Sequence, residues 1–470
     1  MSIALSNGTK AAVSNNTASP FNLIASQRGR NTLQEEINNL HPLMGRSALI
    51  VDGALASRRA LQEQLSQLGA ASIRYACSTL EVARALEAAN VDLIICEYQL
   101  DDHRTGQQLL EELQLDNRLP WSTSFIMITG ERKYTSVLGV MEFEPDDYLI
   151  KPFTSSQLAE RVIRLFVKKN ALYPVSRAHG TGEFKQALAL CDQTQRKHPA
   201  HGSEIFKLRI KSHMALGEND QAELLLHQAI ADRPAPWMNM ALARVQTKRS
   251  NFISAEKELR QLVTEKPEFT AARDLLADVL WELNRPDESL EILEQIGSAG
   301  LNNVNRLRKL ADLSIRLNDN ARAKQYLQKV IDRTQGTVLA RADDFVNLST
   351  ALINEGRQED ADRVVLKMRH SLKNPDMEVA RILIAVKRES FAGANHKAQT
   401  LLEKALTAFE AAEEMPSPMI HISLIESCFD LGLRDRALSH ARQLAMRGAH
   451  KSVLDRLRAS MDKSKKLAGY

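Results

Sequence analysis

Glu97 ends the apolar run Asp92-Leu93-Ile94-Ile95-Cys96-Glu97, so a carboxylate stands where a buried strand emerges. Phe125-Ile126-Met127-Ile128-Thr129 likewise ends on a hydroxyl, and Tyr148-Leu149-Ile150 is followed by Lys151 and Pro152. Asp52 directly follows the run Leu49-Ile50-Val51. Groups at the carboxyl ends of parallel strands are where such sheets do chemistry. A carboxylate there can act as a nucleophile. A Lys151 to Glu97 ion pair with a hydroxyl hydrogen bond from Thr129 would instead satisfy the pocket without any switching. Function turns on which of these the site performs.

The elements that position these groups follow from pattern. Beginning at Ala48, short β-rich apolar runs alternate with helical segments. The strands are Leu49–Val51, Ile73–Ala76, Leu93–Cys96, Phe125–Thr129 and Tyr148–Ile150. The helices are Arg58–Leu68, Leu80–Ala88, Gln107–Leu115, Tyr134–Met141 and Gln157–Lys168. Five strands alternating with helices predict a doubly wound α/β domain with a five-stranded parallel sheet over residues 46–168. Residues 1–45, rich in Ser, Asn, Thr and Gly, read as a flexible extension with one short amphipathic stretch at Leu33–Leu40.

Beyond Lys169 the strand pattern stops and helical segments recur. A small residue marks the start of each second helix at Ala187, Ala222, Ala255, Ser289, Ala323, Ala361, Ala398 and Ala437, with spacings of 35, 33, 34, 34, 38, 37 and 39. Pro199, Pro234 and Pro267 follow the first three landmarks by twelve residues, where a helix has to stop. Leu242, Leu276 and Leu310 form one column at an interval of 34, as do Ala243, Ala277 and Ala311, and Leu259, Leu293 and Leu327. A hairpin that cannot bury its apolar face alone stacks on its neighbour, and small residues permit the approach. Residues 170–460 are therefore predicted to be an all-α solenoid of helical hairpins, followed by a basic tail over 461–470 with Lys463, Lys465 and Lys466.

Composition excludes several classes. At 470 residues the chain exceeds a single hydrophobic core; a net charge of +4 is small for this length, and neither sign forms a long block before the tail at Lys463 to Lys466, which reads as a solvated end rather than a nucleic-acid patch. Cys77, Cys96, Cys191 and Cys428 lie far apart, which argues against disulfides or a structural metal and suits a reducing cytoplasm. No apolar stretch reaches a membrane span, and no secretory signal is visible. The serine-hydrolase, P-loop and zinc-protease motifs are missing, as are helix-turn-helix and RNA-binding signatures, so neither an enzyme nor a DNA-binding output is expected.

Two resemblances sharpen this. The solenoid resembles tetratricopeptide (TPR) repeats, best between about 200 and 333 and in a degenerate form afterwards. Residues 48–168 resemble the receiver domain of bacterial two-component response regulators. The match rests on Asp146-Asp147-Tyr148-Leu149-Ile150-Lys151-Pro152-Phe153, on Phe125 to Gly130, and on Asp92 to Leu100 followed by Thr105 to Leu110. In a working receiver an Asp attacks a phosphoryl donor while acidic residues after the first strand hold Mg²⁺. The resemblance puts Asp52 and Gly53 at the metal-ligand positions, Glu97 at the acceptor, Thr129 and Tyr148 at the switch and Lys151 at the phosphate-binding lysine. Two positions depart from the pattern. Gly53 has no carboxylate, and Glu97 sets its carboxylate one methylene further out. Mg²⁺ demands near-octahedral oxygens at about 2.0–2.1 Å, so its binding is expected to be weak. The pocket is then a pseudo-receiver that imitates the activated state, an inert structural module, or a site phosphorylated at another carboxylate such as Asp52 or regulated by another ligand.

In a solenoid of this kind the first helices line a concave face that binds peptides or helices. Lys207 and Lys211, Asp274 and Asp278, and Arg308 and Asp312 each share a helix face there. Trp237, Met240, Arg244 and Trp281 complete the candidate partner surface. The expected function is a non-catalytic signalling adaptor whose receiver supports or gates a protein-binding array, without metal, nucleic acid or membrane. Receiver domains also self-associate through their fourth and fifth helices, which allows a homodimer. The alternatives are a phosphorylation-switched regulator in a phosphorelay and a structural co-chaperone or assembly factor with a vestigial receiver.

Overall fold

The computed structural model describes residues 41, 43–100, 105–115, 118–130, 145–267, 269–296, 303–335, 337, 339–372, 376–412, 416–446, 457, 458 and 461. The N-terminal extension, the Leu33–Leu40 and Tyr134–Met141 helices and the basic tail lie outside them, apart from a few boundary residues.

Five strands form, the central ones from apolar runs buried on both faces: β1 Ser47–Val51, β2 Ser72–Ala76, β3 Leu93–Glu97, β4 Ser124–Thr129 and β5 Asp147–Ile150. They pair in parallel in the order β2-β1-β3-β4-β5. Between them run α1 Leu55–Gln67, α2 Thr79–Ala88 and α3 Gly106–Leu115. Period-two alternation sorts side chains to two cores. Ile50, Ile95, Ile126 and Leu149 pack with Leu61, Leu65, Leu158 and Val162 on one face. Val51, Cys96, Phe125 and Met127 pack with Val82, Leu109 and Leu110 on the other. Helices cover both faces, as the doubly wound pattern requires.

The final helix of this domain departs from expectation. Its predicted end at Lys168 is wrong: α4 spans Ser155–Gly180, starting at a Thr154–Gln157 capping box and continuing through Pro174. A break before residue 170 therefore falls inside one helix. Its second half, rich in apolar residues such as Leu172, Val175 and Ala178, packs on Ala187 and Cys191 of the next helix. The array is thus joined to the α/β domain by a helix rather than by a loop.

Hairpins follow in series: α5 Phe184–Lys197 packs on α4, then α6 Gly202–Ala215 with α7 Asn219–Asp232, α8 Pro236–Lys248 with α9 Phe252–Glu265, and α10 Thr270–Glu282 with α11 Pro286–Glu294. Next come α12 Val304–Arg316 with α13 Asn320–Thr334, α14 Ala342–Asn354 with α15 Gln358–Ser371, α16 Asp376–Phe391 with α17 Asn395–Glu410, and α18 Pro418–Asp430 with α19 Arg434–Met446. Every landmark residue from Ala187 to Ala437 is buried to 2% exposure or less, and so are the three leucine and alanine columns. Each turn within a hairpin carries one residue with φ between 59° and 80°: Gly182, Gly217, Ser250, Asn284, Asn318, Gly356, Gly393 and Gly432. That column has the same spacing as the landmarks, because the left-handed turn fixes where each second helix begins. The hairpins after 333 keep this turn despite their irregular spacing. Among the described residues no helix is long and apolar enough to cross a membrane.

The turn column predicts that Asn318→Val lowers stability by about 1–2 kcal/mol, since a β-branched side chain resists positive φ. Asn318→Gly should leave stability unchanged or raised. Urea unfolding followed by helical circular dichroism measures both.

Candidate functional site

Strand register assembles the pocket. Val51 lies opposite Cys96, Glu97 opposite Ile128 and Thr129 opposite Ile150, so Asp52, Glu97, Thr129 and Lys151 emerge at one edge of the sheet. Asp52 is buried and each oxygen of its carboxylate accepts a hydrogen bond: Oδ1 from the Ala54 N–H at 2.8 Å and Oδ2 from the Ser57 hydroxyl at 2.6 Å. Lys151 Nζ forms a short ion pair with Glu97 Oε2, donates to Ser57 Oγ at 3.2 Å and stands 3.5 Å from Asp52 Oδ2. Glu97 Oε1 accepts the Tyr98 N–H at 2.9 Å. One ammonium thus serves two carboxylates whose side chains are only 5% and 15% exposed.

The backbone holds this arrangement. The Lys151 N–H donates to the Thr129 carbonyl at 2.8 Å, and the Lys151–Pro152 peptide is cis. Thr129 is buried at the end of β4. Tyr148, half-buried, packs with the core of the opposite face, away from the three charged groups. The structure therefore brings Asp52, Glu97 and Lys151 together and leaves Tyr148 outside their cluster.

Three supporting residues escaped the sequence reading. Ser57 bridges Asp52 and Lys151. Arg58 Nη1 donates to the carbonyls of Asp52 at 2.7 Å and Gly53 at 3.0 Å, and to Cys77 Sγ at 2.6 Å, tying down the turn after β1. Gly106 opens α3 directly against the acceptor strand: a Cβ there would stand 2.6 Å from the Glu97 carbonyl oxygen and 2.8 Å from Cys96 Sγ and Met127 Sδ. Its glycine was a visible signal, since only glycine permits so close an approach.

The sequence that builds this domain has counterparts among known proteins. The family model of the response regulator receiver domain matches residues 48–163. Residues 48–163 form a receiver domain. The chemotaxis protein CheY of Pseudomonas aeruginosa is 27% identical over 122 residues, which is 26% of this chain and 97% of that protein. The chemotaxis protein CheY1 of Helicobacter pylori is 29% identical over 115 residues, 24% of this chain and 91% of that protein. Among solved structures, a tetratricopeptide repeat protein from Parabacteroides merdae is similar at 17% identity and a TM-score of 0.39, covering 55% of this chain and 98% of that one. The apo form of the quorum sensor NprR from B. thuringiensis is similar at 12% identity and a TM-score of 0.41, covering 62% and 93%. Behind the receiver, the paired helices with their buried small-residue column form a TPR-like array.

On the array, the predicted partner residues separate. Lys207, Lys211 and Arg244 are exposed on α6 and α8, and Lys207 Nζ lies 5.0 Å from the centre of the Trp237 ring, which also meets Phe206 edge-on at 5.9 Å. Surrounding protein lowers the Lys211 pKa, and the like charges of Arg244 and Lys207 lower it further. Met240, in contrast, is buried in the core of its hairpins and is not part of the surface. Asp274 is buried in a forked ion pair with Arg306. Asp278 pairs with Lys309 at 2.7 Å; burial raises its pKa while Lys309 opposes the rise. Trp281 is covered by Arg316 at 4.4 Å, and Asp312 pairs with that same arginine at 2.9 Å. The acidic positions are thus spent within the scaffold, whereas the cations on α6 and α8 remain on the surface. The helix over 134–141, half of the face proposed for dimerisation, is outside the described residues.

If Lys151 and Glu97 form a working pair, a double-mutant cycle of Lys151→Ala and Glu97→Ala in urea unfolding should return an interaction energy of about 1–3 kcal/mol. Additivity to within about 0.5 kcal/mol would show that the contact contributes nothing.

Proposed function

We propose that this chain is a non-catalytic signalling adaptor of the response-regulator type, in which a phosphate-independent receiver supports a TPR-like array that binds a protein partner. The observation that carries this reading is the Lys151 ammonium. It already has a carboxylate partner in Glu97, the side chain that would otherwise have to accept a phosphoryl group. A receiver that uses phosphate needs that lysine to meet the incoming oxygens and needs a metal to offset their charge.

The residues present do not fit Mg²⁺. Gly53 supplies no oxygen from a side chain, both Asp52 oxygens already accept hydrogen bonds, and an ammonium stands 3.5 Å from one of them. The Glu97 carboxylate imitates a phosphoryl group in part: it brings one negative charge and two oxygens where phosphorylation brings about −1.5 to −2 and three. The pocket then holds one conformation permanently, and the chain acts in the cytoplasm through binding.

The partner surface on this reading is the cationic face of α6 and α8 with Trp237 beside it. Lys207, Lys211 and Arg244, which meet no carboxylate among the described residues, lie next to a partly exposed indole and suit a carboxylate-bearing protein segment with an apolar anchor.

Two experiments test the proposal. Incubation with Mg²⁺ and radiolabelled acetyl phosphate should leave the native protein unlabelled, whereas the double variant Gly53→Asp, Glu97→Asp should gain label; label on the native protein refutes the phosphate-independent reading. Affinity capture from native cell extract should retain a partner that Lys207→Glu, Lys211→Glu loses by at least about tenfold. Equal retention would move the binding surface elsewhere.

A further inference from the structure

Helix α3 is buried on a side where a helix flanking an α/β sheet ordinarily meets water. Leu109, Leu110 and Leu113 face the receiver core, as expected, but Glu111 and Glu112 are also buried, at 4% and 7% exposure. Acidic residues are almost never so buried unless something pairs with them. The cover comes from the array. Glu111 Oε1 accepts the N–H of Val304 at 3.2 Å, across 193 residues of sequence. Val304 is the first residue of α12, so a receiver carboxylate caps one of the donors that a helix start leaves unmatched, at the positive end of the helix dipole.

Two arginines of the array feel the charge of the same carboxylate. Arg308, one turn into α12, forms a fork with Asp344, donating from Nε at 3.1 Å and from Nη2 at 2.7 Å. Its pKa is raised: burial works to lower it, and Asp344, with Asp343 and Glu111, outweighs that. Arg333, near the end of α13, has its pKa lowered by burial, with Glu111 and Tyr98 acting against the fall. Tyr98, itself buried, is the residue after Glu97. Its N–H donates to Glu97 Oε1, and its carbonyl accepts the Gly106 N–H at 2.7 Å at the start of α3. A continuous path therefore runs from the Lys151–Glu97 pair through Tyr98 and α3 to the α12–α13 hairpin.

The receiver is also fixed at a second point. Trp121, before β4, lies 5.3 Å from the Tyr173 ring on α4, and Lys169 on α4 pairs with Asp146 at 3.3 Å. With α4 anchored there, the contact at α12 closes a loop of the chain.

We propose that the outer face of α3 is an internal docking surface, that Glu111 latches it onto α12, and that this latch couples the Glu97 pocket to the curvature of the array. It deepens the adaptor reading and rests on it for the direction of signalling, whereas the latch itself stands on the contacts above.

Hydrogen–deuterium exchange on the full-length protein, with no partner present, tests it separately from partner binding. Glu111→Ala should speed exchange at Val304–Lys309 by about five- to tenfold, as loss of a cap predicts, while the amides of β1, β3 and β4 keep native protection. Arg333→Gln, approaching from the array side, should do the same in case Glu111→Ala fails to fold. Glu97→Gln should raise exchange at the same amides by a smaller factor. Unchanged exchange at Val304–Lys309 in both Glu111→Ala and Arg333→Gln would overturn the latch, and an effect of Glu97→Gln confined to β3 and α1 would overturn the coupling.

Discussion

The ammonium of Lys151 is the charge around which the receiver's pocket is built. Two carboxylates emerge at the carboxyl edge of the sheet, one nearly inaccessible and the other mostly so. Carboxylates in such a position call for a compensating cation, because desolvation of an unpaired buried charge costs several kcal/mol. Phosphate-dependent receivers meet this requirement with a metal. Here glycine replaces one of the acidic metal ligands and the acceptor carboxylate is long enough to reach the lysine directly. Ser57 relays between Asp52 and Lys151, and Arg58 ties the turn that carries Asp52. On the proposed reading, a static pairing of these groups stands in place of the phosphate chemistry.

That pairing matters beyond the pocket because of what Gly106 permits. With no Cβ, α3 starts in contact with the backbone of Glu97, and Tyr98 is held by hydrogen bonds on both sides. The receiver's last helix continues unbroken into the first hairpin of the array, so the two halves share an element rather than a linker. In a stacked array each hairpin contacts its neighbours, and a constraint on one hairpin propagates as curvature. Binding output is what such a scaffold can deliver.

Much of the fold was legible from residues alone. The strands were readable because fully buried parallel strands present unbroken β-branched and apolar runs such as Leu93 to Cys96. The hairpins were readable because close packing admits only small residues at Ala187, Ala222 and their successors. The positive-φ column was equally visible as a recurrence of Gly, Asn or Ser five residues before each landmark. The end of α4 was misplaced because local pattern cannot show that the helix's second half has a new hairpin to pack on, which offsets the rung lost at Pro174. Met240 and Asp274 were read as surface residues because helix periodicity gives a face, not the neighbour covering it. Asp274 is buried by Arg306, 32 residues away. Glu111 carried no signal at all: its partner is a backbone amide in another part of the chain, and sequence spacing says nothing about such a contact.

On the proposed reading, an ion pair occupies the place of metal-dependent phosphate chemistry. Paramagnetic Mn²⁺, titrated into isotope-labelled full-length protein, measures this directly through line broadening of the amides around Asp52 and Glu97. These signals are expected to stay sharp at millimolar Mn²⁺ in the native protein and to broaden once Gly53 and Glu97 are both changed to Asp. Selective, saturable broadening at Asp52 in the native protein would contradict it.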